Sequence, residues 1–184
     1  MLTNIDEHLF YLFYNLAVES PLIGNLMATI TIWSSRVFAV IYLMAVVLML
    51  QKKNKIVVPV IAAPALTVIA VQIIRFFYLR PRPFVVLEVD NLIYHTASGS
   101  LPSMHAASAF VIAAIIWCVH KKIGNILLFF AFVTGISRVM VGVHFPADVL
   151  LGSILGLSFG FVTFKIINKL GWYKNNSREY LSRE

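Results

Sequence analysis

His144 and Asp148 stand four residues apart in the stretch SRVMVGVHFPAD, Ser137 to Asp148, with Pro146 between them. Proline suits the first turn of a helix, and positions i and i+4 share a helix face, so the carboxylate can sit beneath the imidazole. A carboxylate that accepts from one ring nitrogen fixes the tautomer and leaves the other nitrogen as a nucleophile or base. A second stretch, PSMH, places Ser103 and His105 just after Pro102, where the open N–H groups of a helix start would bind phosphate. Arg75, Arg80 and Arg82 lie in a third stretch, RFFYLRPRP, and Arg138 precedes His144 by six residues. Guanidinium groups converging on one spot match the equatorial oxygens of a transferring phosphoryl group bidentately, as lysines cannot. Two histidines, one supported by an acid, with an arginine cluster and neither thiol nor metal cage, point to phosphoryl transfer through a covalent phosphohistidine.

The elements that must position these residues are apolar. The chain is 60% hydrophobic and 12% charged, with a mean hydropathy of +0.86, against roughly 25% charged residues in soluble domains. The composition is that of an all-α integral membrane protein with a single domain, about residues 1–174. Runs able to cross about 30 Å of hydrocarbon, which takes roughly 20 helical residues, occur at about 24–50, 56–79, 102–119, 123–141 and 147–170, predicting five transmembrane helices in a bundle. Pro59 suits the first turn of the second span, and Pro64 should kink it. The opening segment, 1–20, carries Asp6, Glu7 and His8 near its start and sets Leu9, Phe10, Leu12, Phe13 and Leu16 largely on one side. It reads as an N-terminal interfacial amphipathic helix. Acids stand where a cleavable signal would carry a basic region, so no cleavage is expected. Residues 175–184 read as a polar cytoplasmic tail.

Lys52, Lys53, Lys55, Lys121, Lys122, Lys165, Lys169 and Lys174 all fall on one side of this topology, which should be cytoplasmic. The loops carrying the histidines and arginines then face the extracytoplasmic side of the cell membrane. Arginines there run against the positive-inside bias, so topology does not explain them, and charges at a membrane edge mark a functional pocket by default. The net charge of +7 could indicate a nucleic-acid partner, but those proteins cluster basic residues on a water-facing surface. Here they lie between apolar runs, and no nucleic acid is expected. Cys118 stands alone in an apolar run, which excludes a disulfide framework and a thiolate metal site.

In order and internal spacing, RFFYLRPRP, PSMH and SRVMVGVHFPAD resemble the three-part signature of the type 2 phosphatidic acid phosphatase superfamily: K-x6-R-P, P-S-G-H and S-R-x5-H-x3-D. The likeness covers roughly residues 56–165. Two positions depart from the pattern. Arg75 replaces the lysine and keeps its charge; Met104 replaces the glycine that lets the backbone approach phosphate, so its side chain must point away for its N–H to serve. The resemblance implies that His144 attacks phosphorus, Asp148 orients it, and His105 protonates the leaving oxygen and later activates water. Arg75, Arg82, Ser103, Met104 and Arg138 would bind the substrate phosphate, with no metal or cofactor. Within the superfamily, the short chain and the RPRPF run look most like bacterial undecaprenyl pyrophosphate phosphatases, which release orthophosphate from the polyprenyl carrier and recycle it for wall synthesis. The partners implied are a polyprenyl or phospholipid phosphate and membrane lipids. A broader phosphatidylglycerophosphate or phosphatidic acid phosphatase is the nearest rival. A non-catalytic anion- or lipid-binding membrane protein is the alternative of another class, although transporters commonly show repeated halves and none is evident here.

Other polar residues have plainer readings. His8, His95 and His120 read as interfacial anchors. Glu88 and Asp90 could with His95 ligate a cation, but read more simply as solvated or substrate-selecting loop residues. Arg80 lies outside the signature and would touch a second phosphate or headgroup, or snorkel to water, so its loss should spare most activity. Gly152, Gly156 and Gly160 form a small-residue stripe suited to close helix packing in lipid, within one chain or between two.

Overall fold

The computed structural model describes residues 2–170, and these form seven helices and their connections. Lys174 and the expected polar tail 175–184 lie outside the described residues. α1 spans Leu2–Glu19, α2 Pro21–Gln51, α3 Val57–Phe77, the single turn α4 Pro83–Val86, α5 Met104–Val119, α6 Lys121–Met140 and α7 Pro146–Lys169. α2, α3, α6 and α7 are long and apolar enough to cross a membrane. α5, expected as the span at about 102–119, is a 16-residue apolar helix, roughly 24 Å long. It can be short because protein rather than lipid surrounds it: Ala106, Ala107, Ala109 and the run Val111–Ile116 are all buried.

Five alanines on α5 make it thin, and the three glycines of α7 let it approach closely. A Cβ placed on Gly152 would lie 2.5 Å from the Ser103 carbonyl oxygen, one on Gly156 2.5 Å from that of Ala107, and one on Gly160 2.6 Å from Ala114 Cβ. The ascending order of these partners shows α5 and α7 running parallel and in register. The stripe therefore packs two helices of the same chain. Phe38, Val60, Ala63, Ile112, Ile115, Leu127 and Ala131 complete the core around α5. Large side chains such as Leu43, Ile69, Phe129, Phe132 and Ile154 stay exposed on the outer surface, as a lipid-facing surface requires. α3 remains helical through Pro64.

The inward face of α1 differs from the one its leucines suggest. Asp6, Phe10, Tyr14 and Ala17 are buried, whereas Leu9, Leu12 and Leu16 are exposed. Phe10 stacks on Tyr14 at 5.3 Å and meets Phe145 at 5.6 Å, and the Tyr14 hydroxyl donates to the Asp90 carbonyl at 2.7 Å. These contacts dock α1 on the loops that precede α5 and α7. The described lysines lie at the α2–α3 and α5–α6 turns and along the last turns of α7. The opposite end, where α3 and α6 finish and α5 and α7 begin, gathers the reactive residues.

Candidate active site

The turn between α6 and α7 is built on Arg138 and Gly142. The Arg138 carbonyl accepts from both Val143 N (3.3 Å) and His144 N (3.2 Å), and Gly142 has φ +82°, a left-handed conformation that only glycine adopts freely. The chain so reversed presents His144 and then enters α7 through Phe145 and Pro146. Asp148 fastens that entrance: its Oδ2 accepts from Phe145 N at 2.9 Å, and its backbone N–H donates to Phe145 O at 3.1 Å. The same Oδ2 lies 3.4 Å from His144 Nδ1, a long contact of the kind that tightens when substrate binds. On the other side of the ring, Arg82 Nη1 approaches Nε2 at 3.2 Å. A guanidinium can only donate, so Nε2 is the acceptor and Nδ1 carries the proton toward Asp148. The free lone pair of the ring thus faces the arginines.

His144 is 1% exposed. Burial, with Arg138, Arg82, His105 and Arg75 close by, holds its pKa well below the ordinary value of 6.5, so the imidazole is neutral at physiological pH. That interaction set brings the three predicted arginines and both predicted histidines to one place. Arg82 is buried and anchored: Nε donates to Ser98 O (3.0 Å), Nη1 to Val143 O (2.8 Å), and Nη2 to Ser98 Oγ and Gly99 O (both 3.3 Å). Burial and the neighbouring Arg75 lower its pKa to about 10, leaving it charged. Arg138, 2% exposed, has two donors, Nε and Nη2, with no hydrogen-bond partner among the described residues. An unpaired buried guanidinium N–H is costly, and it is a ready donor for an anion.

Arg75 is committed differently, with Nε and Nη2 both donating to the Pro102 carbonyl at 3.1 and 2.7 Å. It secures the chain just before α5. Pro102, expected to open that helix, precedes it; Ser103 is the N-cap, its Oγ accepting from Ala106 N at 3.5 Å. Ser103 N donates to the Asp148 carbonyl at 2.9 Å, tying the α5 start to the α7 start. Met104 begins α5 with its neighbour His105 on the wall of an apolar cavity of about 340 Å³, which Ser35, Phe38, Tyr42, Pro64 and Ile112 also line. A thioether in that wall is in keeping with the departure from glycine.

Several contributors carry no local signal in the sequence. Ser137 Oγ gives its one proton to Thr134 O (2.8 Å), so the Thr31 hydroxyl, 2.6 Å away on α2, must donate to it. His95 is no remote anchor: its ring lies 6.4 Å from that of His144, and burial followed by Arg82, Arg138 and Arg75 lowers its pKa. Glu88 and Asp90 do not join it, since among the described residues no three His, Cys, Asp or Glu side chains form a metal-sized group. His120 caps α6, Nδ1 accepting from Ile123 N at 3.4 Å. Arg80 neither snorkels to water nor stands free for a second phosphate: Nη1 donates to Asp148 Oδ1 at 2.9 Å and Nη2 to Asp6 Oδ2 at 2.6 Å.

An all-helical bundle with membrane-length spans, closed at one end by an acid-supported neutral histidine among buried arginines, defines a multi-pass membrane protein. The chain belongs to the PAP2 superfamily, whose pattern matches residues 56–172. It is 39% identical over 98 residues to undecaprenyl-diphosphatase BcrC of Bacillus subtilis, a match covering 53% of this chain and 51% of that protein. The chain thus spans about half the length of that relative. The putative undecaprenyl-diphosphatase YbjG of Escherichia coli K12 is 30% identical over 171 residues, covering 91% of this chain and 84% of the relative. Among solved structures, a transmembrane PAP2 type phosphatidylglycerolphosphate phosphatase from Bacillus subtilis superposes with a TM-score of 0.75 at 24% identity, over 92% of this chain and 87% of that one. At that identity the likeness is one of fold.

Proposed function

We propose that the protein is a membrane lipid phosphatase that hydrolyses undecaprenyl pyrophosphate to undecaprenyl phosphate and orthophosphate. The observation that carries the reading is the neutral His144 with Nδ1 toward Asp148 and Nε2 toward Arg82, beside the two unpaired donors of Arg138. Nε2 attacks the terminal phosphorus as the bond to the bridging oxygen breaks. Asp148 stabilises the imidazolium that forms, and His105 gives a proton to the departing lipid phosphate. Water then attacks the phosphohistidine, His105 takes its proton, the P–N bond breaks and orthophosphate leaves. Arg82 and Arg138, with Arg75 and the Ser103–Met104 helix start behind them, hold the charge of the equatorial oxygens.

A lipid substrate is favoured by the apolar cavity that reaches His105, since the proton donor and the hydrocarbon of the leaving group must be neighbours. The names of two relatives, undecaprenyl-diphosphatase and putative undecaprenyl-diphosphatase, support the polyprenyl choice. Lysines at the end opposite the site support an extracytoplasmic orientation in the cell membrane. The test is kcat/KM for undecaprenyl pyrophosphate against phosphatidylglycerol phosphate and phosphatidic acid in the same detergent. A preference of about tenfold or more for the diphosphate is expected; equal values would make the enzyme a broad phospholipid phosphatase, and no phosphate release from any of them would overturn the enzyme reading.

A further inference from the structure

Asp148 has two carboxylate oxygens with different duties. Oδ2 serves Phe145 N and His144 Nδ1, while Oδ1 accepts from Arg80 Nη1 at 2.9 Å. Arg80 cannot swing away from that task. Its other terminal nitrogen is held by Asp6 Oδ2 at 2.6 Å, and its guanidinium carbon lies 4.1 Å from the centre of the Phe145 ring. Asp6 is fixed in turn by Ala147 N, which donates to Oδ1 at 2.8 Å from the first turn of α7. That N–H is one of the four at a helix start without an intrahelical partner. Asp6, 8% exposed, comes from α1, outside the residues 56–172 that match the superfamily. A closed ring of contacts therefore runs from α1 through Arg80 to the acid of the α7 entrance and back through Ala147.

We infer that Arg80 and Asp6 are positioning residues for the reaction, an external clamp that sets the plane and charge of Asp148 so that Oδ2 points at His144 Nδ1. The ring works in two ways. Arg80 pins Oδ1, so the carboxylate cannot rotate and offer the wrong oxygen, and its positive charge lies against the fully buried acid. Asp6 shares Arg80, so the cation does not draw all of the negative charge away from the imidazole it must support. The inference rests on the proposed roles of His144 and Asp148, and it assigns Arg80 no contact with substrate.

The test is steady-state kinetics of the full-length protein in detergent on a lipid diphosphate, with thermal unfolding recorded for each variant. Arg80→Gln should lower kcat about tenfold or more, as loss of a partner that orients a reacting group does elsewhere, with KM within about twofold of wild type. Asp6→Asn should lower kcat in the same sense, and the double variant should be no worse than Arg80→Gln by more than about twofold, because Asp6 acts through Arg80. Arg80→Lys, which keeps the charge, should recover part of the loss. If Arg80→Gln does not fold, the comparison of Asp6→Asn with wild type carries the test. Wild-type kcat in Arg80→Gln, or in Asp6→Asn, would overturn the clamp. A raised KM at unchanged kcat would also overturn it and make Arg80 a phosphate ligand. An inactive wild type, or a fully active His144→Ala, would instead refute the phosphohistidine reading, so the two failures are distinguishable.

Discussion

Gly152→Ala tests whether the spacing of α5 and α7 sets the catalytic geometry. The added Cβ would lie 2.5 Å from the Ser103 carbonyl oxygen and 3.3 Å from Ala107 N. Both are backbone atoms, so no side chain can turn aside. Regaining contact at 3.4 Å or more, the ordinary range, requires the helices to part by about 0.9 Å. Overpacking of this kind costs about 1–3 kcal/mol, offset by about 1 kcal/mol from the better helix propensity of alanine. The net loss of about 0–2 kcal/mol should lower Tm by up to about 8 °C. Activity should suffer more, because Ser103 and His105 ride on α5 while His144 and Asp148 sit at the start of α7. A misplacement of about 1 Å costs about 100-fold in rate. Gly160→Ala meets Ala114 Cβ at 2.6 Å and carries a similar packing cost two turns further along, roughly 12 Å away. It should lose stability but less than about threefold in kcat/KM, since it lies far from the reacting groups. Phosphate release and thermal unfolding of both variants in one detergent decide the matter. A Gly152→Ala enzyme with more than half of wild-type activity, or a Gly160→Ala enzyme equally impaired, would refute the reasoning.

Two further outcomes follow from the arginines and the histidines. Because Arg138 Nε and Nη2 lack partners, inorganic phosphate or vanadate at about ten times its Kd should raise stability by about 1.4 kcal/mol, read as a thermal shift. Arg138→Lys should abolish that shift and lower kcat by about 100-fold or more, because one ammonium cannot replace the planar fork; a preserved shift would remove Arg138 from the anion site. The lowered pKa values of His144 and His95 give stability a sign with pH. Below pH 6.5, the ordinary histidine value, the unfolded chain takes up protons that the folded imidazoles refuse, so stability is complete above pH 6.5 and falls as the pH drops below it. Tm measured at pH 7.5, 6.5 and 5.5 should show a flat region and then a decline, and His144→Gln should make the decline shallower. An unchanged Tm at pH 5.5 would mean that these rings are protonated in the fold.

Six signature residues at one end of the bundle were legible, because their chemistry is written in short local spacings: His144 with Asp148, Ser103 with His105, Arg75 with Arg82. Contributions made across the chain left no such mark. Thr31 meets Ser137 over 106 positions and Asp6 meets Ala147 over 141, and nothing near either residue announces its partner. α1 has two apolar faces: Leu9, Leu12 and Leu16 form an exposed stripe, as an interfacial helix requires, and Phe10, Tyr14 and Ala17 a buried one that the leucines do not announce. The inward stripe is the aromatic one, since flat rings fit against Phe145 while the leucines remain outside. α5 begins two residues inside the expected span 102–119 because Ser103 is its N-cap, and a helix this short suffices for a further reason. Hydropathy counts apolar residues without asking whether lipid or protein covers them, and the alanines of α5 are covered by α3, α6 and α7.

The central claim is that His144 is the nucleophile, and trapping the covalent intermediate tests it most directly. Rapid acid-free quenching of the enzyme with a radiolabelled terminal phosphate, followed by peptide mapping, should find a base-stable, acid-labile phosphoramidate on His144. The same label should be missing from His144→Ala, and its burst should precede steady-state phosphate release. Label on another residue, or steady turnover by His144→Ala, would contradict the account.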